Sequence, residues 1–421
     1  SIVVILLTEM FEIKNKGMIV LCAAIFVSFP TVVSSFAYMY TADAYLLAFL
    51  LATLAVYLTW CVKKWGTIAG MVCLAFAMGI YQAYATVAIV LVLLYIIRQF
   101  VIEKLDFLEA VRKDLKYLGM LVGGAVLYAV ILKITLIRYN ITLPGYQGIG
   151  ALGIMSLGQY KAALQKTLYH FRLILGMEHG VEKHVYSLLN AAALLLIGLI
   201  LIYLLVRNQV YKKKMSMLAS IAAVCLIPVG AYFINFTSPD VQYYTLMEMA
   251  VCLIYLLMII MLLQLDWKTW ISKILKGCGI FVLCGLVYYN VINCNIAYFN
   301  MNLSYHKSIS IAEDVLQRIE QMDEFQNQHD KVVIMGDYNC ATENLQIMMP
   351  SIMGISNDSF LNDSYHYTIL WNYCFGIQME QASYDEMIGI IDTDEYKNMP
   401  VYPLKGCVDY INGVIVVRMQ E

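Results

Sequence analysis

The chain has 421 residues, 61% of them hydrophobic and 14% charged, with a mean hydropathy of +0.70. A soluble domain carries about a quarter charged residues, so a soluble globular enzyme is excluded. The formal charge of −2 hides a division: residues 1–294 hold 22 Lys and Arg against 12 Asp and Glu, and residues 295–421 hold 6 against 18. That asymmetry predicts a basic-sided membrane domain over 1–294 and an acidic, water-facing domain over 295–421.

In chain order, the short apolar run at 2–7 follows Ser1 with neither the charged start nor the cleavage site of a signal peptide, so the chain is expected to begin inside a membrane segment of a longer protein. Nine apolar runs follow, at 19–36, 45–62, 67–80, 85–97, 118–137, 186–206, 215–236, 246–263 and 277–294, and each is expected to span the bilayer. The runs at 67–80 and 85–97 are short. They are expected either to be tilted or broken around Tyr81-Gln82-Ala83-Tyr84, or to form one re-entrant unit.

Val101, Leu105, Leu108, Val111 and Leu115 predict one amphipathic helix on the membrane surface, and Leu157, Tyr160, Leu164, Leu168 and Phe171 predict another. The tail reads as a helix over 310–324, a buried strand over 331–337 and a last strand over 413–418, enough for one small α/β domain. Eight of the eleven cysteines lie in apolar runs. Cys340, Cys374 and Cys407 in the tail allow at most one disulfide, and no CxxC spacing supports a structural zinc site.

Lys and Arg collect in alternate loops, at Lys14 and Lys16, Lys63 and Lys64, Arg98 to Lys116, Arg207 to Lys214, and Lys268 to Lys276. By the positive-inside rule these loops are expected to be cytoplasmic and the acidic tail to lie outside the cytoplasm. The opposite ends carry ionisable residues that are functional candidates, because charge near lipid is costly: Asp43, Asp240, Glu248, Lys133 and Arg138. Helix capping or snorkelling accounts for each of them singly. Asp43 is preferred for its very short loop flanked by Tyr38, Tyr40 and Tyr45, where a carboxylate can take a proton from an acceptor hydroxyl.

Tyr38, Tyr40, Tyr81 and Tyr84 are candidates to stack on sugar rings, although interfacial anchoring explains tyrosines at such positions too. The segment after Arg138 adds Lys161, Lys166, His170, Arg172, His179, Lys183 and His184, an electropositive set suited to a lipid-linked phosphate. Gly145-Tyr146-Gln147-Gly148-Ile149-Gly150 follows no strand, which argues against a nucleotide fingerprint. No nucleic-acid partner is expected.

Phe29-Pro30-Thr31 through Asp43-Ala44-Tyr45-Leu46-Leu47, Gly79-Ile80-Tyr81-Gln82-Ala83-Tyr84, Tyr146-Gln147-Gly148-Ile149, Tyr244-Thr245-Leu246-Met247, and Tyr402-Pro403 followed by Gly413-Val414-Ile415-Val416-Val417 together resemble the bacterial glucosyltransferase type II family. The resemblance implies a polytopic α-helical GT-C-like membrane protein with a small extracytoplasmic C-terminal α/β domain. It also implies a polyprenyl-phosphate sugar donor, usually undecaprenyl-phosphate glucose, and O-antigen or another surface glycan as acceptor.

Under that likeness Lys133, Arg138 and Arg172 hold the phosphate, Tyr38, Tyr40, Tyr81 and Tyr84 bind sugar, and Asp240 and Glu248 lie on the acceptor side. The principal catalytic carboxylate is expected in a loop upstream of Ser1, with Asp43 in support, so the chain alone is expected to be inactive. No metal ligands are assigned, and a divalent metal stays open. The alternatives are a protein resembling the O-antigen ligases, and a transporter or flippase of envelope precursors. A transporter wants ionisable or broken centres deep in several helices, whereas the charges here gather at the interfaces.

Overall fold

A computed structural model describes residues 1–143, 153, 155–177, 185–327, 329–338, 361 and 363–420. The glycine-rich stretch at 145–150 and His179, Lys183, His184 and Cys340 lie outside the described residues. The chain divides into two compact units, Ser1–Cys294 and the part from Asn295 onward.

The first unit is built from helices α1 (Ile2–Met10), α2 (Lys16–Ser28), α3 (Pro30–Ala37), α4 (Ala42–Cys61), α5 (Gly66–Ile80), α6 (Ala85–Val101), α7 (Phe107–Tyr139), α8 (Leu157–Ile174), α9 (Val185–Arg207), α10 (Lys214–Ala231) and α11 (Leu253–Leu263). It also holds the first part of α12 (Trp270–Glu320), within which the division between the units falls. Among the described residues seven helices are long and apolar enough to cross a membrane, and the chain is a multi-pass helical membrane protein.

Two of the nine expected spans fall short of that length. The run at 67–80 is the 15-residue α5, and the run at 246–263 begins with two 3-10 turns, Thr245–Met247 and Met249–Cys252, before α11 starts at Leu253. The run at 19–36 is interrupted as well: Phe29 takes an extended conformation because Pro30 follows it, and this separates α2 from α3.

α5 and α6 pack mainly on other helices and little on each other. They are joined by extended Tyr81 and the 3-10 turn Gln82–Tyr84, and α5 packs mainly on α4 and α7 whereas α6 packs mainly on α10. Small residues let α5 approach its neighbours closely, as in other membrane helix pairs. A Cβ on Gly70 would stand 2.5 Å from Thr59 Oγ1 and 2.6 Å from the Ala55 carbonyl, and one on Gly124 would meet Leu74 at 2.8 Å.

The surface helix expected from Val101 to Leu115 does not exist as a separate element. α6 ends at Val101, and after a short turn α7 runs unbroken for 33 residues from Phe107, so Leu108, Val111 and Leu115 are exposed residues of its first turns. α8 does form, capped by Ser156 and Gln159, but its leucine stripe faces away from the bundle. Leu157 is 88% exposed and Leu164 and Leu168 stay exposed, whereas Ala163, Thr167 and Ile174 on the adjacent face are buried.

Ion pairs tie the basic loops together at one end of the bundle. Arg98 reaches Glu12 at 3.0 Å and Glu103 at 3.3 Å, Arg207 reaches Asp266 at 2.9 Å, and Lys213 reaches Asp106 at 2.8 Å. The opposite end, rich in tyrosine, carries the candidate site.

The second unit holds a four-stranded sheet of β1 (Asp330–Met335), β2 (Met379–Gln381), β3 (Val408–Ile411) and β4 (Val414–Arg418), in the order β2-β1-β4-β3. β1 runs parallel to β2 and to β4, with Val333 opposite Val416. β3 and β4 form a hairpin through Asn412-Gly413, both at positive φ, the turn that matches strand twist.

Val332, Ile334, Ile415 and Val417 pack with Trp371 and with Ile311, Val315 and Ile319 of α12. Val333, Met335, Val414 and Val416 pack on the other side with Ile390 and Met399. Helices α13 (Ser364–Leu370), α14 (Tyr384–Ile391) and α15 (Asp394–Asn398) complete the described part. The helix expected at 310–324 is the last part of α12, and every described cysteine is free.

α14 is capped by Ser383 and Glu386, and Lys331 Nζ stands 2.6 Å from Glu386 Oε1. The Lys331 ammonium and the Ser383 N–H and O–H groups hold the Glu386 carboxyl down to about 2. A carboxylate held below its unfolded value stabilises the fold above that value, and the contribution disappears as pH falls through the folded one. Glu386→Gln is therefore expected to lower the melting temperature at neutral pH, with the gap from wild type closing as pH falls toward 2. A gap that stays constant with pH would assign the effect to something other than this charge.

Candidate active site

The tyrosine-rich end is assembled from the breaks in the helices. After α10 the chain turns through the 3-10 segment Phe233–Phe236 and returns extended to Thr245–Met247, where Thr31 Oγ1 of α3 donates to the Thr245 carbonyl at 3.0 Å. This return segment meets the α5–α6 junction: Ala83, Val241, Leu246 and Met247 form one buried cluster, with Tyr38, Tyr45, Tyr81, Tyr243 and Tyr244 packed against it.

Glu248 sits between the two 3-10 turns and is only 2% exposed. Tyr232 OH donates to its Oε1 at 2.8 Å, while Oε2 is buried with no hydrogen-bond partner among the described residues. A buried carboxylate with one oxygen unsatisfied is unfavourable for folding, so this is a group that demands an explanation in function.

Aromatic rings pack around Tyr232. Tyr232 and Tyr243 lie 4.9 Å apart between centroids, and His170 of α8 lies 5.3 Å from Tyr243 and 6.2 Å from Tyr232. α8 is fixed there by Asn235 Nδ2 donating to Thr167 Oγ1 at 3.1 Å, and by Lys166 Nζ donating to the Val241 carbonyl. Burial lowers the Lys166 pKa, and the nearby Asp240 charge opposes that shift.

Tyr45, Tyr81 and Tyr84 form a second aromatic group, with Tyr45 at 5.1 Å from Tyr81 and 6.4 Å from Tyr84. Gln82 Nε2 donates to Tyr128 OH, which brings α7 beside this group. Below it an apolar groove of about 460 Å³ runs between α5, α6 and α7, lined by Leu74, Met78, Ile89, Leu118, Val122 and Phe233, with Gln82, Thr86, Tyr128 and Thr237 as polar residues.

The family profile of glucosyl transferase GtrII matches residues 1–261, which contain every residue of this site. The chain belongs to that family. No curated protein and no solved structure gave a match. The GtrII membership makes this a membrane glycosyltransferase.

Within this GtrII site the expected residues are placed unevenly. Tyr81, Tyr84 and Glu248 are gathered in it, and Tyr38 packs at its edge. Asp43 is exposed in the first turn of α4, where its Oδ1 accepts from the Ala44 N–H at 2.8 Å. Tyr40 is 83% exposed, and Asp240 is exposed on the return segment. Lys133 and Arg138 are exposed on the final turns of α7, beyond Tyr128, and Arg172 is exposed on α8 with its Nε on the Leu168 carbonyl.

The pairing of His170 and Lys166 with the return segment went unread in the sequence. Its signal was the run of small and polar residues Ala163, Lys166, Thr167 and His170 beside the leucine stripe. Among the described residues no three His, Cys, Asp or Glu side chains come together as a metal site requires.

Proposed function

We propose that this protein transfers a hexose, glucose in the first instance, from a polyprenyl-phosphate carrier to a cell-surface glycan such as O-antigen, in a GT-C-like arrangement on the outer face of the inner membrane. The part from Asn295 onward is then an extracytoplasmic α/β domain. The observation that carries the reading is Glu248: a buried carboxyl group in a GtrII-family domain, held by Tyr232, whose ring packs with Tyr243 and His170, and with its second oxygen unbonded among the described residues.

In this account Glu248 takes the place of the carboxylate expected upstream of Ser1, and the chain is active as it stands: the acceptor hydroxyl passes its proton to Glu248 Oε2 as its oxygen bonds to the anomeric carbon. The bond from that carbon to the phosphate oxygen breaks, and the lipid phosphate leaves with the electron pair. Lys133, Arg138 and Arg172 meet the phosphate charge, which grows on the leaving oxygen in the transition state. Tyr38, Tyr40 and Tyr81 offer ring faces to the sugar, whereas Tyr84, 3% exposed and packed against Phe49 and Tyr45, supports them from the core; Asp240 lies on the acceptor side. The apolar groove beside Gln82 and Tyr128 suits the isoprenoid chain of the donor.

Asp43 is a supporting carboxylate at the rim. Asp43→Asn is expected to lower sugar transfer from the lipid carrier by about tenfold, below the roughly 10²–10⁴-fold of a general acid or base, because Asp43 supports the proton transfer and does not carry it. The measurement is incorporation of label from polyprenyl-phosphate [14C]glucose into glycan by membranes carrying the variant. Unchanged turnover would remove Asp43 from the mechanism.

A further inference from the structure

The second unit contains a pocket that the transfer site does not use. It has a volume of about 290 Å³, at the small end of ligand-sized clefts, and lies between α12 and α13 with its π-helical extension, Trp371–Phe375. Tyr305 and Ser308 of α12 form one wall, and His366, Tyr373 and Cys374 line the other.

Four features of this pocket point to one ligand chemistry. Tyr373 is 85% exposed and Tyr305 51%, so solvent reaches both phenol rings at the opening. Ser308 Oγ is buried and lacks a hydrogen-bond partner among the described residues, although Ser308 lines the cavity. His366 lines the cavity as well, and its buried Nδ1, 2.7 Å from Asp363 Oδ1 but without hydrogen-bond geometry, has no hydrogen-bond partner among the described residues, since that oxygen accepts from the His366 backbone N–H at 3.1 Å. No Lys or Arg is among the described lining residues, and none of these favours a phosphate or a carboxylate.

The local backbone is also unusual. Trp371 is anchored in the core, its Nε1 donating to the Ala312 carbonyl at 3.1 Å. From that anchor the wide π turn carries Tyr373 and Cys374 outward. Such turns are rare and recur at functional sites.

We propose that this pocket binds a neutral hexose unit of a glycan, with the Tyr373 and Tyr305 rings against the apolar faces of the sugar and Ser308 Oγ and the His366 imidazole on its hydroxyls. Ring faces for C–H surfaces and a few oriented polar atoms for hydroxyls are what an uncharged sugar requires. The occupant's class follows from the pocket. Its role as the acceptor glycan held near the enzyme rests on the transferase reading above.

The test uses the whole protein in nanodiscs, with methyl α- and β-glucoside, maltose and cellobiose as probes and saturation-transfer NMR as the readout. Saturable binding of at least one probe is expected, weakened tenfold or more by Tyr373→Ala and by Tyr305→Ala and retained by Tyr373→Phe. Tyr373 is so exposed that its removal leaves the core alone, and circular dichroism checks this. Failure of the wild type to bind any probe, or equal binding by Tyr373→Ala, overturns the proposal. Turnover of polyprenyl-phosphate glucose in the same preparation separates the two readings: turnover without sugar binding sinks the pocket alone, and binding without turnover sinks the transferase reading while the sugar site stands.

Discussion

Glu248→Gln is expected to reduce sugar transfer by at least a hundredfold without unfolding the protein. The amide keeps an oxygen for the Tyr232 hydroxyl, so the 2.8 Å hydrogen bond survives, while the oxygen without a partner is replaced by a group that cannot accept a proton. General acid–base groups contribute roughly 10²–10⁴-fold, which sets the size of the effect. Glutamine matches glutamate in size and places no charge in the buried site, so the melting temperature should hold.

Glu248→Ala separates the two roles further. It strands the Tyr232 hydroxyl in a buried site and is expected to cost about 1–3 kcal/mol of stability as well as activity. A Glu248→Gln protein that turns over donor at the wild-type rate would make Glu248 a structural group.

The second large effect is expected at the α4–α5 contact. Gly70→Leu places a Cβ 2.5 Å from Thr59 Oγ1 and 2.6 Å from the Ala55 carbonyl, and Met120 of α7 stands 2.9 Å away on the other side. The Ala55 carbonyl belongs to backbone and cannot rotate away, so α5 must move off α4. Overpacking of this kind costs about 1–3 kcal/mol where side chains yield, and a rigid backbone neighbour puts this case at or above the upper value. The expected outcome is a melting temperature in detergent lowered by several degrees and a poor yield of monodisperse protein. Gly79, with nothing within 4 Å of its Cβ position, is the control: Gly79→Ala should leave both unchanged. Equal behaviour of the two variants would mean that α4 and α5 do not pack as closely as described.

Most of the helical fold was legible because apolar runs of bilayer length are a strong signal and charged loops punctuate them. The errors came where a local rule overrode hydropathy. The 67–80 run yields only the 15-residue α5, and the 246–263 run opens with two 3-10 turns around Glu248, neither of which hydropathy registers; Pro30 breaks the helix at Phe29, yet Lys16–Ala37 is still long enough to span. The leucines of α8 marked an apolar face correctly, but a helix at a membrane surface has two places to put such a face, and packing on Asn235 and Tyr232 chose the smaller residues.

The site was half legible for a related reason. Carboxylates and tyrosines at the ends of spans are visible one by one, and Tyr81, Tyr84 and Glu248 could be nominated. Which of three carboxylates is buried depends on how the return segment folds over the α5–α6 junction, contacts separated by more than 150 residues. The sequence preference for Asp43 rested on its tyrosine neighbours, whereas the structure buries Glu248 on Tyr232, whose ring packs with Tyr243, and leaves Asp43 at the surface.

The most direct test of the account is a donor experiment with the purified protein in nanodiscs. Polyprenyl-phosphate [14C]glucose and a surface glycan are supplied together, and both label in the glycan and release of free polyprenyl phosphate are followed. The account predicts one lipid phosphate released per glucose transferred, with both signals lost in Glu248→Gln. Transfer from a nucleotide sugar without the lipid, or movement of intact labelled lipid across a bilayer with no glucose reaching the glycan, would contradict it.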